Sequence, residues 1–252
     1  MLAILSPAKT LDFETPPTVA DFSQPAFLKQ GQSIIQELKK KTSKDLQKLM
    51  SLSPKLAELN IERYRQWKLP FTPKNARPAV FAFMGDVYQG LDVRTLSPKE
   101  IKYAQEHVRI LSGLYGVLAP LDLIQAYRLE MGTKLKIGHH SDLYTYWKKA
   151  VTEHLQATLG QEKILINLAS KEYADVVDFK QLKALVITPV FKDKSGGKYK
   201  VISFFAKKAR GALLRHMLKK AAVTPQELLD FNWEGYAFHA ESSTDTEWVF
   251  RR

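Results

Sequence analysis

The chain has 252 residues, with 38 lysines and arginines against 26 aspartates and glutamates and a formal net charge of +12. That length can bury a core without a disulfide or a structural metal. With zero cysteines, disulfides, thiol nucleophiles, zinc ribbons and iron–sulfur clusters are excluded together.

No apolar stretch approaches the roughly 18 residues that argue for a membrane span. The Leu2–Leu5 run is also too short for a signal peptide. A cytoplasmic protein with no membrane partner is expected. The basic surplus suits nucleic acid, an anionic surface or a small phosphorylated ligand, so its distribution has to decide.

Apolar runs rich in β-branched or aromatic residues read as strands, and 3.6-residue periodicity reads as helices. In chain order, Leu2–Leu5 is a strand, followed by helices over Pro25–Lys41, Ser43–Met50 and Pro54–Trp67. A strand is expected at Ala79–Phe83, then a helix over Pro98–Val108. The helix start is marked by Ser97 at the N-cap, Pro98 at the first helical position and Glu100 at the third. Val108–Leu111 reads as a strand, Leu143–Leu159 as a helix and Ile164–Leu168 as a strand. Ala184–Phe191 is apolar except for Thr188 and Pro189, as in a buried strand nearing a bulge or an edge. Gly196-Gly197 then predicts an antiparallel hairpin into Lys198–Phe205. Helices over Ala206–Lys220 and Pro225–Asp230 and a strand over Glu247–Phe250 complete the chain. The expected fold is α/β (mixed α+β): a single compact domain over residues 1–252, with a mixed sheet flanked by helices.

Three features could carry function. Between Lys192 and Lys220 lie ten lysines and arginines against one acid, Asp193. On the helix within this stretch, Lys208, Arg215 and Lys219 share one narrow face beside a buried arc of Phe205, Ala209, Ala212, Leu213 and Met217. A rigid display of this kind suits a polyanion, although a charged helix face is commonly just solvated surface.

The second feature is Leu46–Ala57, where two helices meet through Ser51-Leu52-Ser53. It resembles a helix–hairpin–helix element, in which N–H groups at the second helix's start grip a phosphate. Lys44, Lys48 and Lys55 would flank that phosphate. Serines stand where glycines are usual, and an ordinary helical hairpin is the plainer alternative.

The third feature is a set of polar clusters at presumed strand ends. Lys9, Asp86, Tyr115, Arg128 and Ser170 would line a cleft if those ends converge, with Lys9 on an anion and Asp86 as a base. Ordinary turn chemistry explains the same clusters. None matches a Walker loop, a dinucleotide fingerprint or a nucleophile elbow. Among the six histidines only His139-His140 are adjacent, and no metal-ligand spacing occurs, so no metal and no cofactor are expected.

Several motifs together resemble the YaaA peroxide-stress protein family of bacteria. They are Leu5–Phe13, Gly85–Tyr88, Leu111–Val117 with Pro120–Asp122, Tyr127–Gly132, Asn167–Ser170 and Ile202–Gly211. Phe231-Asn232, Gly235-Tyr236 and Glu247–Phe250 fit as well. The resemblance implies a role in hydrogen-peroxide stress, in which intracellular free iron is limited and DNA and protein are protected. It also implies binding of duplex or branched DNA with little sequence preference, in an unusual mixed fold. On this chain the hairpin would be Ser51–Lys55, and a positive cleft would draw on Lys207, Lys208 and Arg210. The expected protein is therefore a non-enzymatic DNA-binding protein. The rival is an enzyme acting on a phosphorylated small molecule or nucleobase through Lys9, Asp86, Tyr115 and Arg128.

Overall fold

The computed structural model describes residues 1–161 and 163–252. In chain order, β1 (Leu2–Leu5) and β2 (Thr10–Leu11) precede the helices α1 (Leu28–Lys39), α2 (Ser43–Met50) and α3 (Pro54–Gln66). β3 (Arg77–Pro78), the single turn α4 (Ala79–Ala82), β4 (Phe83–Met84) and α5 (Asp86–Leu91) lead to α6 (Pro98–His107). The hairpin of β5 (Val108–Ser112) and β6 (Gly116–Leu118) and the short β7 (Leu123–Ile124) precede α7 (Leu143–Thr158). Next come β8 (Ile164–Asn167), α8 (Lys171–Ala174), β9 (Leu185–Ser195), β10 (Lys198–Lys200) and the long α9 (Ser203–Lys220). β11 (Ala237–Phe238) and β12 (Glu247–Arg251) follow.

The main sheet has the order β11-β12-β9-β8-β1-β5-β6, with β10 also paired to β9. The five strands from β12 to β5 run parallel, while β6, β10 and β11 are antiparallel to their neighbours. This is the mixed α/β sheet the sequence predicts. β1 is paired on both edges and all four of its residues are buried. A strand with no solvated face needs an unbroken apolar run, which Leu-Ala-Ile-Leu supplies.

Pro189 sits inside the sheet, in register with Trp248 of β12. The Thr188 and Lys194 N–H groups donate toward the β12 side, so position 189 faces the other way. There the pairing with β8 has already ended at Ile187, and the missing proline N–H costs no ladder bond. At the hairpin, Gly196 (φ 60°) and Gly197 (φ 77°) both take the left-handed backbone that pairs Lys198 with Ser195.

Two expected strands are corrected. Ala79–Phe83 is a helical turn over its first four residues, and only Phe83 joins a strand. The N–H groups of Ala79 and Val80 donate to the carbonyls of Asp122 and Pro120 at 2.9 Å each, and Ala79 to Phe83 are all buried. Burial on every side explains the apolar run without fixing its period. Lys198–Phe205 is extended only to Lys200, because the Ala206 N–H donates to the Ile202 carbonyl and starts α9 at Ser203. The segment Pro225–Leu228 is a 3-10 turn capped by Thr224 and Glu227.

α5 and α9 pack backbone to backbone. A Cβ built on Gly211 would lie 1.8 Å from the Val87 carbonyl oxygen, and one on Gly90 would lie 2.0 Å from that of Lys208. Nothing but hydrogen fits at either position, so the pair sets the distance between the helices. Gly211→Ala should force them apart and cost about 3 kcal/mol, at the upper end for overpacking. Urea unfolding reads this directly, and a midpoint equal to that of the parent would refute the close-packing argument.

Candidate anion-binding cleft

The floor of the cleft begins at Tyr115, in the β5–β6 turn. Its side chain is fully buried, and burial pushes its hydroxyl well above the usual tyrosine pKa. That hydroxyl accepts the Trp67 indole N–H at 3.0 Å and the Gln125 backbone N–H at 3.3 Å. The Gln125 side chain completes the clamp: its Oε1 accepts the Lys68 N–H at 3.0 Å and its Nε2 donates to the Lys68 carbonyl at 2.9 Å. Lys39, in the last turn of α1, donates from Nζ to the Trp67 carbonyl at 3.2 Å.

Above this clamp is a cleft of about 720 Å³, lined by Phe13, Lys39, Arg63, Arg65, Gln66, Trp67, Lys68, Asn75, Gln125 and Ala126. Four of these residues are cations and none is an acid. Arg65 and Lys68 are exposed, and their side chains make no ion pair or hydrogen bond among the described residues. The lining amides are engaged elsewhere. Gln66 donates to Glu62 at 2.7 Å, and Asn75 donates to the Pro70 carbonyl and accepts the Thr72 N–H. The uncommitted hydrogen-bonding capacity is thus concentrated in positive donors, which suits phosphate or carboxylate oxygens.

The residues named from sequence fall into three other places. In the α2–α3 hairpin, Ser51 takes the left-handed position (φ 52°, ψ 48°) that a glycine commonly fills, and Leu52 is buried. Ser53 caps α3, its Oγ accepting the Leu56 N–H at 3.4 Å, while Pro54 has no N–H to offer. Two of the donors that a phosphate would use at this helix start are therefore spent or missing. Lys44, Lys48 and Lys55 are exposed around it.

On α9 the cations are divided. Lys207 and Lys219 are exposed, but Lys208 lies with Nζ 4.6 Å from the centre of the Phe204 ring. Arg210 is largely buried, and burial lowers its pKa. Arg215 donates to the carbonyls of Leu91 and Asp92 at 3.0 and 2.9 Å, closing the C-terminus of α5.

At the strand ends, Lys9 and Arg128 meet on one carboxylate, Glu130, at 2.9 and 3.0 Å. Ser6 Oγ accepts the Ser170 N–H at 2.8 Å and donates to Ser170 Oγ at 3.2 Å. Asp86 opens α5, with no ion pair among the described residues. Tyr115 does not join this group, because it points into the core as the hub of the cleft floor.

The fold and the cleft define a mixed α/β protein with a cationic groove. Among the described residues no helix is long and apolar enough to cross a membrane. The chain matches the family described as Peroxide stress protein YaaA over residues 1–242. It is 52% identical over 256 residues to a UPF0246 protein of Chromobacterium violaceum, covering 100% of this chain and 99% of that one. It is similarly close to UPF0246 proteins of Tolumonas auensis (51% over 254 residues) and Polynucleobacter asymbioticus (52% over 254 residues), covering 100% of this chain and 98% of each relative. The chain belongs to this peroxide-stress family.

The environment of Arg215 separates a structural cation from an available one. Arg215→Ala leaves two carbonyls at the end of α5 without their donor and should cost about 2 kcal/mol. Lys207→Ala, on exposed surface, should stay within about 0.5 kcal/mol of the parent. Equal unfolding midpoints for the two variants would contradict the capping role.

Proposed function

We propose that this protein binds duplex or branched DNA through its phosphates during the peroxide stress response, protecting DNA and lowering free intracellular iron. The observation that carries this reading is the acid-free cleft formed by Lys39, Arg63, Arg65 and Lys68. Fixed cations of this kind release condensed counterions when they meet a sugar–phosphate strand, and that release drives binding. The amides lining the cleft are committed to protein partners, so backbone contacts dominate and sequence preference is weak. The exposed Lys44, Lys48 and Lys55 of the hairpin and Lys207 and Lys219 of α9 supply outlying contacts. Among the described residues no three or more His, Asp or Glu side chains cluster as a metal site would need. In this reading the protein acts in the cytoplasm, and a lower level of free iron accompanies its role in the stress response.

Fluorescence anisotropy with a labelled duplex and a four-way junction tests the reading. If about six phosphates are neutralised, affinity falls roughly 1,000-fold between 50 and 200 mM salt. A shallow slope argues against phosphate-driven binding. Arg65→Glu combined with Lys68→Glu should weaken every sequence alike, by more than about tenfold at low salt. Lys207→Glu with Lys219→Glu should have a smaller effect. Undiminished affinity in the cleft variant would remove the cleft from the interface. In cells exposed to peroxide, the same variant should fail to lower the free-iron signal read by electron paramagnetic resonance.

A further inference from the structure

We propose that the cleft takes a short unpaired stretch of a DNA strand, and that the ring of Phe13 is the surface on which one of its bases stacks. The inference deepens the DNA-binding reading and rests on it.

Size selects the single strand. The cleft holds about 720 Å³, within the roughly 300–1,000 Å³ of small-ligand pockets. A compact space of that volume is about 11 Å across, narrower than the major groove of a duplex alone, at about 12 Å. A duplex can rest across the mouth, whereas a base with its sugar and phosphate can enter. The lining then supplies both parts of a single-strand site. Lys39, Arg63, Arg65 and Lys68 give the positive charge that follows a sugar–phosphate chain, and Phe13 gives an aromatic face.

Of the two aromatic side chains in the lining, only Phe13 has ring surface to offer. Trp67 is buried, its indole N–H is held by Tyr115, and its ring packs against Phe71. Phe13 is half-buried against the core, and among the described residues no aromatic ring or cation lies over it. Asp12 braces the chain on either side of it. The Asp12 N–H donates to the Ala82 carbonyl at 2.8 Å, and its carboxylate accepts the N–H groups of Glu14 at 3.0 Å and Thr15 at 2.9 Å. Arg94 pairs with the same carboxylate at 3.3 Å. The ring is therefore carried on a fixed turn, which lowers the ordering cost of a ligand that stacks on it. Gln125 and Asn75 spend both ends of their amides on the protein, so they read no base edge. Stacking needs no such reading, because every base has a π-face.

The test compares three labelled ligands on the unmodified protein at one salt concentration: a blunt duplex, the same duplex with a single-stranded thymidine tail, and the same duplex with a tail of abasic units. The two tails carry the same phosphates and differ only in their bases. The thymidine tail should bind about tenfold tighter than the abasic one. Phe13→Leu keeps an apolar side chain against the core without a flat ring, and should bring the two tails to equal affinity. Phe13→Tyr restores the ring and should keep the difference, with circular dichroism confirming that both variants fold. Equal affinity of the two tails on the unmodified protein overturns the inference and leaves phosphate-driven DNA binding standing. A difference that persists in a folded Phe13→Leu variant overturns the assignment to this ring. Binding of none of the three ligands sinks the DNA reading, and the inference with it.

Discussion

The hydroxyl of Tyr115 ties together three parts of the chain that the sequence keeps far apart. It accepts from the indole of Trp67 at the end of α3 and from the backbone of Gln125, while its own ring belongs to the β5–β6 turn. Phe71 packs edge-on against both Trp67 and Tyr115, so the polar contact is shielded by aromatic surface. Without that oxygen, two N–H groups would be left buried and unpaired, at about 1–3 kcal/mol each. The clamp therefore has a strong preference for one geometry. That geometry turns Arg63, Arg65 and Lys68 toward the cleft while Trp67 stays in the core.

The electrostatics of the cleft run against the local helix ends. α1 finishes at Lys39 and α3 at Gln66, and each C-terminus contributes about half a negative charge. Two such ends offset about one of the four lining cations, so a clear positive surplus remains. The hairpin at the other end of α3 is about 20 Å away along a 13-residue helix. Between them the exposed face of α3 carries Glu58 and Glu62. A polyanion touching both ends cannot lie along that face without meeting those carboxylates, so hairpin and cleft would contact different stretches of backbone.

Much of the architecture was readable from residues alone. Ser97 with Glu100 forms the capping box that starts α6 where the sequence places it, whereas the boxes of Thr42 with Asp45 and Asp142 with Thr145 that start α2 and α7 emerge only in the fold. The apolar runs of β1, β5, β8 and β9 fall where their composition puts them. The failures have physical causes. Ala79–Phe83 is buried all round, which removes the periodicity that separates helix from strand. Phe204 and Phe205 favour strands in isolation but fill the first turn of α9, where Phe205 packs under the Arg252 guanidinium. The cleft left only a weak local trace, because Arg63, Arg65 and Lys68 at the end of α3 read as ordinary helix-end charge, and Lys39 comes from the distant end of α1. A basic residue in a last helical turn is ordinary dipole compensation, and only the folded arrangement shows that Lys39, Arg63 and Arg65 share one space with Lys68.

The dense basic run from Lys192 to Lys220 illustrates the converse. Sequence proximity makes it conspicuous, yet the fold has already used several of its charges. Arg215 caps α5, Arg210 is largely buried, and Lys220 bonds Asp230 at 2.5 Å. The chain's last arginine, Arg252, is likewise held by Asp193 and Glu234 and packed on two aromatic rings. A cation committed to carbonyls or carboxylates gives little to a ligand, since any new contact must first replace an old one. Arg63, Arg65 and Lys68 have almost nothing to replace. By that physical criterion, unspent donors rather than density of charge along the chain, the cleft is the stronger surface for an anion.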